Sequence, residues 1–467
     1  MAKPLDMSRN HSLYNNLEEL VRACCNSYHS VSQKSEDKPD VGQRRKSLAK
    51  WIQRFHEDCG TLTPRVKESL EYLRCNPCIF LMTAHQPNLF AYSGVLRKAT
   101  LSHVLAERLS EELDLPAVSF FGLADQDFSD DRWVRCALLP DVERKDGVLE
   151  FRVSLPEKTM LCRIEKPLRK VLDDWLVEIQ GWLERNLSIV ERQHKGAQLS
   201  SAKRNLSKNL ERFWSLVEAA YARAKTYSDF NEFVMSRIVN NAWDYPTLFA
   251  RFSECQQSFG PEFETLLSRY DEYSKFVKEA TSCLEEPLEG GVFKDESSTL
   301  PFWLNCDCGG KARLLAERAG GFLYGVGKCL KCEREYHVNF GKCGETDVSG
   351  VVEKISARSL AMPLIFFKSL EVCCYVGGEG GRGYMLQARN VAEKMFNGST
   401  PVVVWRPHDL YRGVGQVAAF VTFSELSGKR NLSELDVALK NLRQKIAGIQ
   451  HRVNELEAQK KQLTENA

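Results

Sequence analysis

Residues 79–106 read IFLMTAHQPNLFAYSGVLRKATLSHVLA, and the reading of this stretch decides the fold. Ile79, Phe80, Leu81 and Met82 form a short continuous apolar run, the pattern of a strand buried on both faces. The run breaks at His85-Gln86-Pro87-Asn88. Beyond the break, Val95, Leu96, Ala99, Leu101, Val104 and Leu105 offer the apolar side of an amphipathic helix. Strand, polar turn and helix make the first half of a βαβ unit, and such units bind ligands at the carboxyl ends of their strands. The first peptides of the helix add N–H groups that attract anions to the same space. The stretch therefore predicts His85, Gln86 and Asn88 on the wall of a small-molecule pocket.

The same grammar returns twice. Residues 115–121 (LPAVSFF) read as a second core strand, followed by Gly122-Leu123-Ala124-Asp125-Gln126-Asp127-Phe128. Asp125 and Asp127 share a face if that segment is extended, and they could then orient an amine, bind sugar hydroxyls or hold Mg²⁺. Ordinary loop and cap chemistry is the other reading, because Asp is common at such breaks. Far downstream, the apolar runs 362–367 and 372–376 lead into Gly377-Gly378-Glu379-Gly380-Gly381, a helix over 389–396 and a strand over 401–405. The glycines could bring backbone N–H groups close to a phosphate or carboxylate. Tyr384 and Gln387 follow one helical turn apart, and Arg406 follows the last strand, so all three are expected at the ligand face. The implied class is α/β, with a parallel core closed by residues far apart in sequence.

The rest of the chain reads as additions to this core. Helical spacing dominates residues 11–75, 168–224 and 230–283, whereas 131–164 alternate in short runs with Pro and Asp-Gly breaks that suggest hairpins. At 432–463, Leu432, Leu435, Leu439, Leu442, Ile446, Ile449, Val453, Leu456 and Leu463 recur at steps of three and four with one gap at Lys460, which argues a coiled-coil helix whose partner is a second subunit or another long helix of the same chain. The expected organisation is a helical lead-in (1–75), a first core part (76–300), a zinc-binding insert (301–345), a second core part (346–425) and the coiled-coil tail (426–467).

Cys306, Cys308, Cys329 and Cys332 form two close pairs about 20 residues apart, which lets four thiolates converge tetrahedrally as structural Zn²⁺ requires. The first pair is the less usual C-x-C, so His337 and Cys343 stand as reserve ligands. A reduced, metal-free set of core cysteines is the alternative. A closed thiolate site has no open position and would stabilise a fold rather than catalyse.

Composition narrows the classes further. The chain has 467 residues, 43% hydrophobic and 27% charged, with a net charge of +2. That balance gives no global field toward nucleic acid or membrane, and no apolar run approaches the roughly 20 residues that span a bilayer. The sixteen cysteines, without a recognisable export signal, suggest a reducing, cytoplasmic setting.

At three of these segments the chain resembles the bacillithiol-biosynthesis cysteine-adding enzymes, the BshC family. HQPNLFAYSGVLRKATL is similar to the family's Q-Q-x-G-L-F-T-G-P-L-Y-x-x-x-K-A, FFGLADQDFSD to its E-D-H-D-F segment, and CCYVGGEGGRGYMLQARNVAE to its Y-V-G-G-x-x-E-x-x-Y-x-x-Q segment. His85 stands where the family has Gln, Ala124 where it has Glu and Gln126 where it has His, and the cysteine insert is not part of the family plan. HQPN with Tyr92, Gly94 and Lys98 is also similar to the WbqC-like family. The resemblance implies a Rossmann-type core and a ligase that joins an amino acid, cysteine in the family, to an amine-bearing substrate, an amino-sugar malate conjugate in the family, with ATP, ADP or another nucleotide as cofactor. It implies that Gln86, Asn88, Asp125, Asp127, Gly377, Gly378, Tyr384 and Gln387 line the pocket. In that reading His85 holds phosphate or a developing oxyanion, Asp125 or Asp127 deprotonates the amine, and the tail makes a homo-oligomer. The competing reading is a non-enzymatic zinc-containing scaffold on a degenerate transferase core.

Overall fold

The computed structural model describes residues 16–33, 41–75, 77–141, 144, 147–193, 197–282, 297–398 and 400–405, together with positions 445, 448, 449, 452, 453 and 456. The chain forms two compact units, one of Met1–Ala137, Phe151–Leu183 and Glu191–His408, the other of Leu138–Glu150, Glu184–Val190 and Asp409–Ala467.

Three helices open the chain, α1 (Leu17–Gln33), α2 (Val41–Cys59) and α3 (Pro64–Cys75). Then come β1 (Ile79–His85), α4 (Ser93–Leu113) and β2 (Ala117–Leu123), as the opening stretch predicts. A short α5 (Arg132–Arg135) precedes the paired strands β3 (Cys136–Pro140) and β4 (Val148–Arg152), where hairpins were expected. Long helices follow, α6 (Arg169–Gln193), α7 (Ala197–Arg223) and α8 (Tyr227–Ser236), then β5 (Leu248–Arg251), α9 (Phe252–Cys255), α10 (Gly260–Ser268) and α11 (Tyr270–Ser282). A run of strands comes next: β6 (Thr299–Asn305), β7 (Lys311–Ala319), β8 (Phe322–Cys329), β9 (Glu335–Lys342), β10 (Glu345–Thr346) and β11 (Ile355–Ala357). The described α/β part ends with α12 (Ala361–Leu370), β12 (Val372–Gly378), α13 (Arg382–Phe396) and β13 (Val402–Trp405).

Five strands form a parallel sheet in the order β13-β12-β1-β2-β5. β1 lies at its centre, paired with β2 from Ile79↔Ala117 to His85↔Leu123 and with β12 from Phe80↔Val372 to Thr83↔Val376. The alternation of β1 explains why the run Ile79–Met82 is apolar without a break. Phe80, Met82 and Ala84 join a core with Val118, Phe120 and Leu248 and with residues of α2, α3, α10, α11 and α12. Ile79 and Leu81 join a second core with Leu20, Val21 and Cys24 of α1 and Leu105 and Leu109 of α4. Full burial of one such side chain stabilises the fold by roughly 1.5–3 kcal/mol, and both faces require it. Of the two apolar runs expected near the second glycine segment, only the later one is a strand. Residues 362–367 lie in α12, buried on nearly every side, so no polar face reveals the helical period.

The cysteine-bearing segment is a six-stranded antiparallel sheet in the order β10-β9-β8-β7-β6-β11. It runs from Thr299 to Ala357, beyond the expected 301–345, and it belongs to the same compact unit as the parallel sheet. Gly327 is required there, because a Cβ would lie 1.9 Å from the Arg313 carbonyl oxygen on β7. The tail expected as a coiled coil falls outside the described residues except at the positions given above, each of which is helical. No described helix is long and apolar enough to cross a membrane.

Candidate functional site

A cavity of about 650 Å³ opens at the carboxyl ends of β1, β2 and β12. The sheet order reverses direction at β1, so this is the switch-point crevice where open parallel sheets bind ligands. Ala84 and His85 come from β1, with Gln86 after it; Ala124, Gln126 and Asp127 come from the turn after β2; Gly377 and Gly378 end β12. Gly94 and Lys98 of α4 and Tyr384 of α13 complete the polar part. The antiparallel sheet supplies Trp303, and the segment after β11 supplies Arg358 and Ser359.

His85 is held by its own turn. Its Nδ1 lies 2.9 Å from the Gln86 carbonyl, which can only accept, so Nδ1 carries the proton and Nε2 keeps a lone pair. Burial, reinforced by the nearby Lys98 cation, pulls its pKa down to about 3. The ring meets Tyr92 edge-on at 5.9 Å, and Tyr92 stacks on Trp133 at the rim. A neutral ring offering Nε2 as acceptor suits a substrate N–H or O–H. To donate to a phosphate or an oxyanion, the role expected from the sequence, the ring would have to take up a second proton.

The turn between β1 and α4 is longer than a tight strand-to-helix connection. Phe90 and Ala91 both adopt positive φ (58° and 48°), and α4 starts only at Ser93 with no side-chain cap from its N-cap residue Tyr92. Non-glycine residues reach this region at a cost of roughly 1–2 kcal/mol each. The Phe90 ring compensates by packing against Trp175, Phe213, Trp214 and Phe230, and its N–H donates to Asn231 Oδ1 at 3.1 Å. Asn88 is buried beneath this turn, outside the cavity lining, and neither lines the pocket nor caps the helix.

The two aspartates part company. Asp127 N–H donates to the Ala124 carbonyl at 3.1 Å, so residues 124–127 form a turn rather than an extended segment. The turn sends Asp127 to the cavity and Asp125 away from it. Asp125 is fully buried and accepts from Ser253 N–H at 2.9 Å and from the Ser253 hydroxyl. Burial raises its pKa to about 6 against the pull of Ser253 and Arg251. It anchors the turn after β2 to α9 and is not a cavity residue, contrary to the catalytic role expected. Gln387 is likewise redirected: it is fully buried, and its amide donates to Thr281 Oγ1 of α11 at 3.0 Å. Arg406 lies outside the described residues.

Lys98 was not singled out as a site residue, yet it sits at the heart of the cavity. It is 5% exposed, its Nζ lies 3.4 Å from the Ala84 carbonyl, and burial pulls its pKa down to about 7. The available signal was positional: Lys98 falls on the buried stripe of α4 with Val95, Ala99, Ser102 and Leu105, not on its solvent face. Trp303 and Arg358 were also missed. The Arg358 guanidinium lies over the Trp303 ring at 4.5 Å, and Lys311 Nζ lies 4.8 Å from the Phe128 ring. Lys311 and Tyr384 both feel the Asp127 charge. For each, burial is the larger influence, lowering the lysine and raising the tyrosine to about 12.

The four cysteines converge. Cys306 and Cys332 Sγ are 3.6 Å apart, Cys308 and Cys329 Sγ are 3.6 Å apart, and all four sulfurs lie within 4.8 Å of one another. Edges of this length suit four thiolates about 2.3 Å from a central ion. The N–H groups of Gly310 and Lys331 each point at a sulfur at 3.4 Å, as turns around a thiolate site do. A Cβ at Gly310 would meet Lys331 Cβ at 2.7 Å and Cys329 Sγ at 2.9 Å, so the two cysteine turns close only on glycine. These residues could hold a metal ion. The reserve ligands stay out: His337 stacks on Tyr324 at 4.8 Å, and Cys343 is exposed. One cysteine turn also reaches the cavity wall. Gly309 carbonyl accepts from Met160 N–H at 2.8 Å, and the next two N–H groups, of Leu161 and Cys162, donate to the carbonyls of Asp127 and Asp125 at 3.1 and 2.9 Å.

Against known proteins, no family model matches this chain and no curated protein matches it.

Proposed function

We propose that the protein is a BshC-like ligase or transferase that joins an amino acid such as cysteine to a small amine-bearing substrate of the amino-sugar type. The observation that carries the reading is the convergence, on one switch-point cavity, of His85, Asp127, Gly377, Gly378 and Tyr384 from three segments widely separated in sequence. These are the segments on which the family resemblance rests, and a Rossmann-type core brings them together in the same way. In this reading the substrate ammonium gives a proton to Asp127. The freed amine lone pair forms a C–N bond to the acyl carbon of an activated donor, and the leaving group departs with the electrons of the broken bond and takes the second proton from the nitrogen. His85 Nε2 accepts a hydrogen bond that orients the amine, and Gly377–Gly378 leave the backbone open to the donor, which a nucleotide would activate. The four cysteines act as a closed structural Zn²⁺ site in a ribbon-like module, and the tail pairs chains through a coiled coil in a cytoplasmic homo-oligomer.

The test is turnover of ATP, cysteine and an amino-sugar malate conjugate by the purified full-length chain, read as product mass and phosphate release. Asp127→Asn should lower kcat by about 10²–10⁴ with its circular dichroism intact. Equal turnover by the variant would remove Asp127 from the chemistry. Absence of product with any amine acceptor, alongside a retained Zn²⁺ ion, would favour the scaffold reading.

A further inference from the structure

The proposed chemistry leaves two features of the cavity unused. The first is the Lys98 ammonium. Its hydrogen-bond partner is the Ala84 carbonyl at the long distance of 3.4 Å, and among the described residues no carboxylate pairs with it. The wall above it is a glycine: a Cβ on Gly378 would lie 3.0 Å from Lys98 Cε and 3.4 Å from Nζ. The end of β12 is thus cut back over the amine, leaving it open to the cavity and closed to water elsewhere. A buried cation without a counterion costs several kcal/mol. It can lose its proton, as its lowered pKa indicates, or it can take an anion from a ligand.

The second feature is an apolar wall contributed from the other face of the sheet. Lys98 rides on α4, which packs against Ile79 and Leu81. Phe252, Phe259 and Phe366 belong to the core on the Phe80 and Met82 side, yet they line the same cavity. Their rings are close, with Phe366 4.7 Å from Phe259 and 5.3 Å from Phe252. The sequence makes room for this cluster. A Cβ on Gly122 of β2 would lie 2.2 Å from the Phe252 ring, so a glycine is needed for that ring to reach the cavity. The rings pack on one another and are nearly buried, so they give the cavity a dry apolar floor, against which a ligand built only of hydroxyls and charges would lose its own water.

We infer that the cavity takes a small amphipathic acid, its carboxylate or phosphate on Lys98 beneath Gly378 and its apolar or aromatic body against Phe252 and Phe366. This rests on the cavity being the small-molecule site of the proposed function, but not on the bond that is made there. It deepens that reading on the side of the acyl donor, which would carry an apolar segment that the hydrophilic amine acceptor lacks.

The test uses the full-length protein with its metal content unaltered and isothermal titration of five probes: phenylacetate, phenyl phosphate, acetate, inorganic phosphate and benzyl alcohol. At least one of the two aromatic acids should bind at least about tenfold more tightly than its non-aromatic counterpart and than benzyl alcohol, the margin of one charge-assisted hydrogen bond. The stronger of the two identifies the anion. Lys98→Met should cost the aromatic acid at least about tenfold while leaving benzyl alcohol unchanged. If that variant fails to fold, the comparison of acid with alcohol on the unaltered chain decides alone. Equal binding of acid and alcohol, equal binding of aromatic and non-aromatic anions, or no binding of any probe into the millimolar range would overturn the proposal. Ligase turnover persisting through such a failure would sink this inference and spare the proposed function; its absence as well would sink both.

Discussion

Replacing Asp125 by Asn should make the protein more stable than the unaltered chain at neutral pH and not at pH 4. Asp125 is fully buried, and burial raises its pKa from the ordinary 3.8 to about 6. A buried acid whose folded pKa lies above its unfolded one favours folding while protonated. That contribution is complete below about pH 3.8 and is lost as pH rises through about 6. The shift of about two units corresponds to about 3 kcal/mol. Asn cannot ionise, yet its Oδ1 still accepts from Ser253 N–H and its amide can donate to the Ser253 hydroxyl, so the anchoring bonds survive. The measurement is urea unfolding of both proteins at half-unit steps from pH 4 to 8. The stability of the variant minus that of the unaltered chain should climb by about 2–2.5 kcal/mol across that range, most steeply near pH 5. Taking the difference cancels buried groups that do not feel Asp125, His56 among them, whereas Glu232, whose pKa the Asp125 charge raises, adds to the difference with the same sign. A flat difference, or one that falls with pH, would mean that Ser253 and Arg251 hold the carboxylate ionised, and the argument from burial would be wrong.

Other expectations follow from the same geometry. Lys98→Met should stabilise the fold at pH 5–6 by up to about 5 kcal/mol. The neutral amine that suits its burial is lost as pH falls from 10.5 through about 7, so the gain should shrink above pH 9 in thermal melts. Gly122→Ala should cost about 1–3 kcal/mol of stability, because Phe252 must leave its place, and should weaken any aromatic ligand more than a hydrophilic one. The purified chain should carry one Zn²⁺ by elemental analysis. Cys329→Ser or a strong chelator should remove the ion and lower the melting temperature, and an unchanged melt after complete metal loss would argue against a structural role.

The sequence was most informative where a pattern has a single physical cause. A four-residue apolar run before His85 has few explanations other than a doubly covered strand, and β1 occupies the centre of the sheet. Two close cysteine pairs flanked by glycines forecast the sulfur cluster. Legibility failed where the cause lies across the fold. Asp125 and Asp127 are alike in sequence, and only the hydrogen bond from Asp127 N–H to the Ala124 carbonyl turns one inward and the other out. Gln387 had a pocket reading until α11 packed Thr281 against it. Lys98, Trp303 and Arg358 reach the cavity from α4, β6 and the segment after β11, and no local periodicity marks that convergence. The apolar run 362–367 carries no period at all, because α12 has no solvent face to declare one.

The pairing of β1 with β12 has a consequence for how the protein is made. The Thr83 hydroxyl donates to the Val376 carbonyl across 293 residues of chain. A chain emerging from the ribosome therefore offers β1 and β2 as an open parallel edge throughout the synthesis of the long helices and the cysteine sheet. The seam at the sheet's centre closes only when residues 372–378 arrive. Such distant pairing is slow, and an exposed apolar edge invites association with other chains. Truncations before about residue 380 should thus accumulate as aggregates rather than as smaller folded proteins, and the switch-point cavity is among the last features of the molecule to exist.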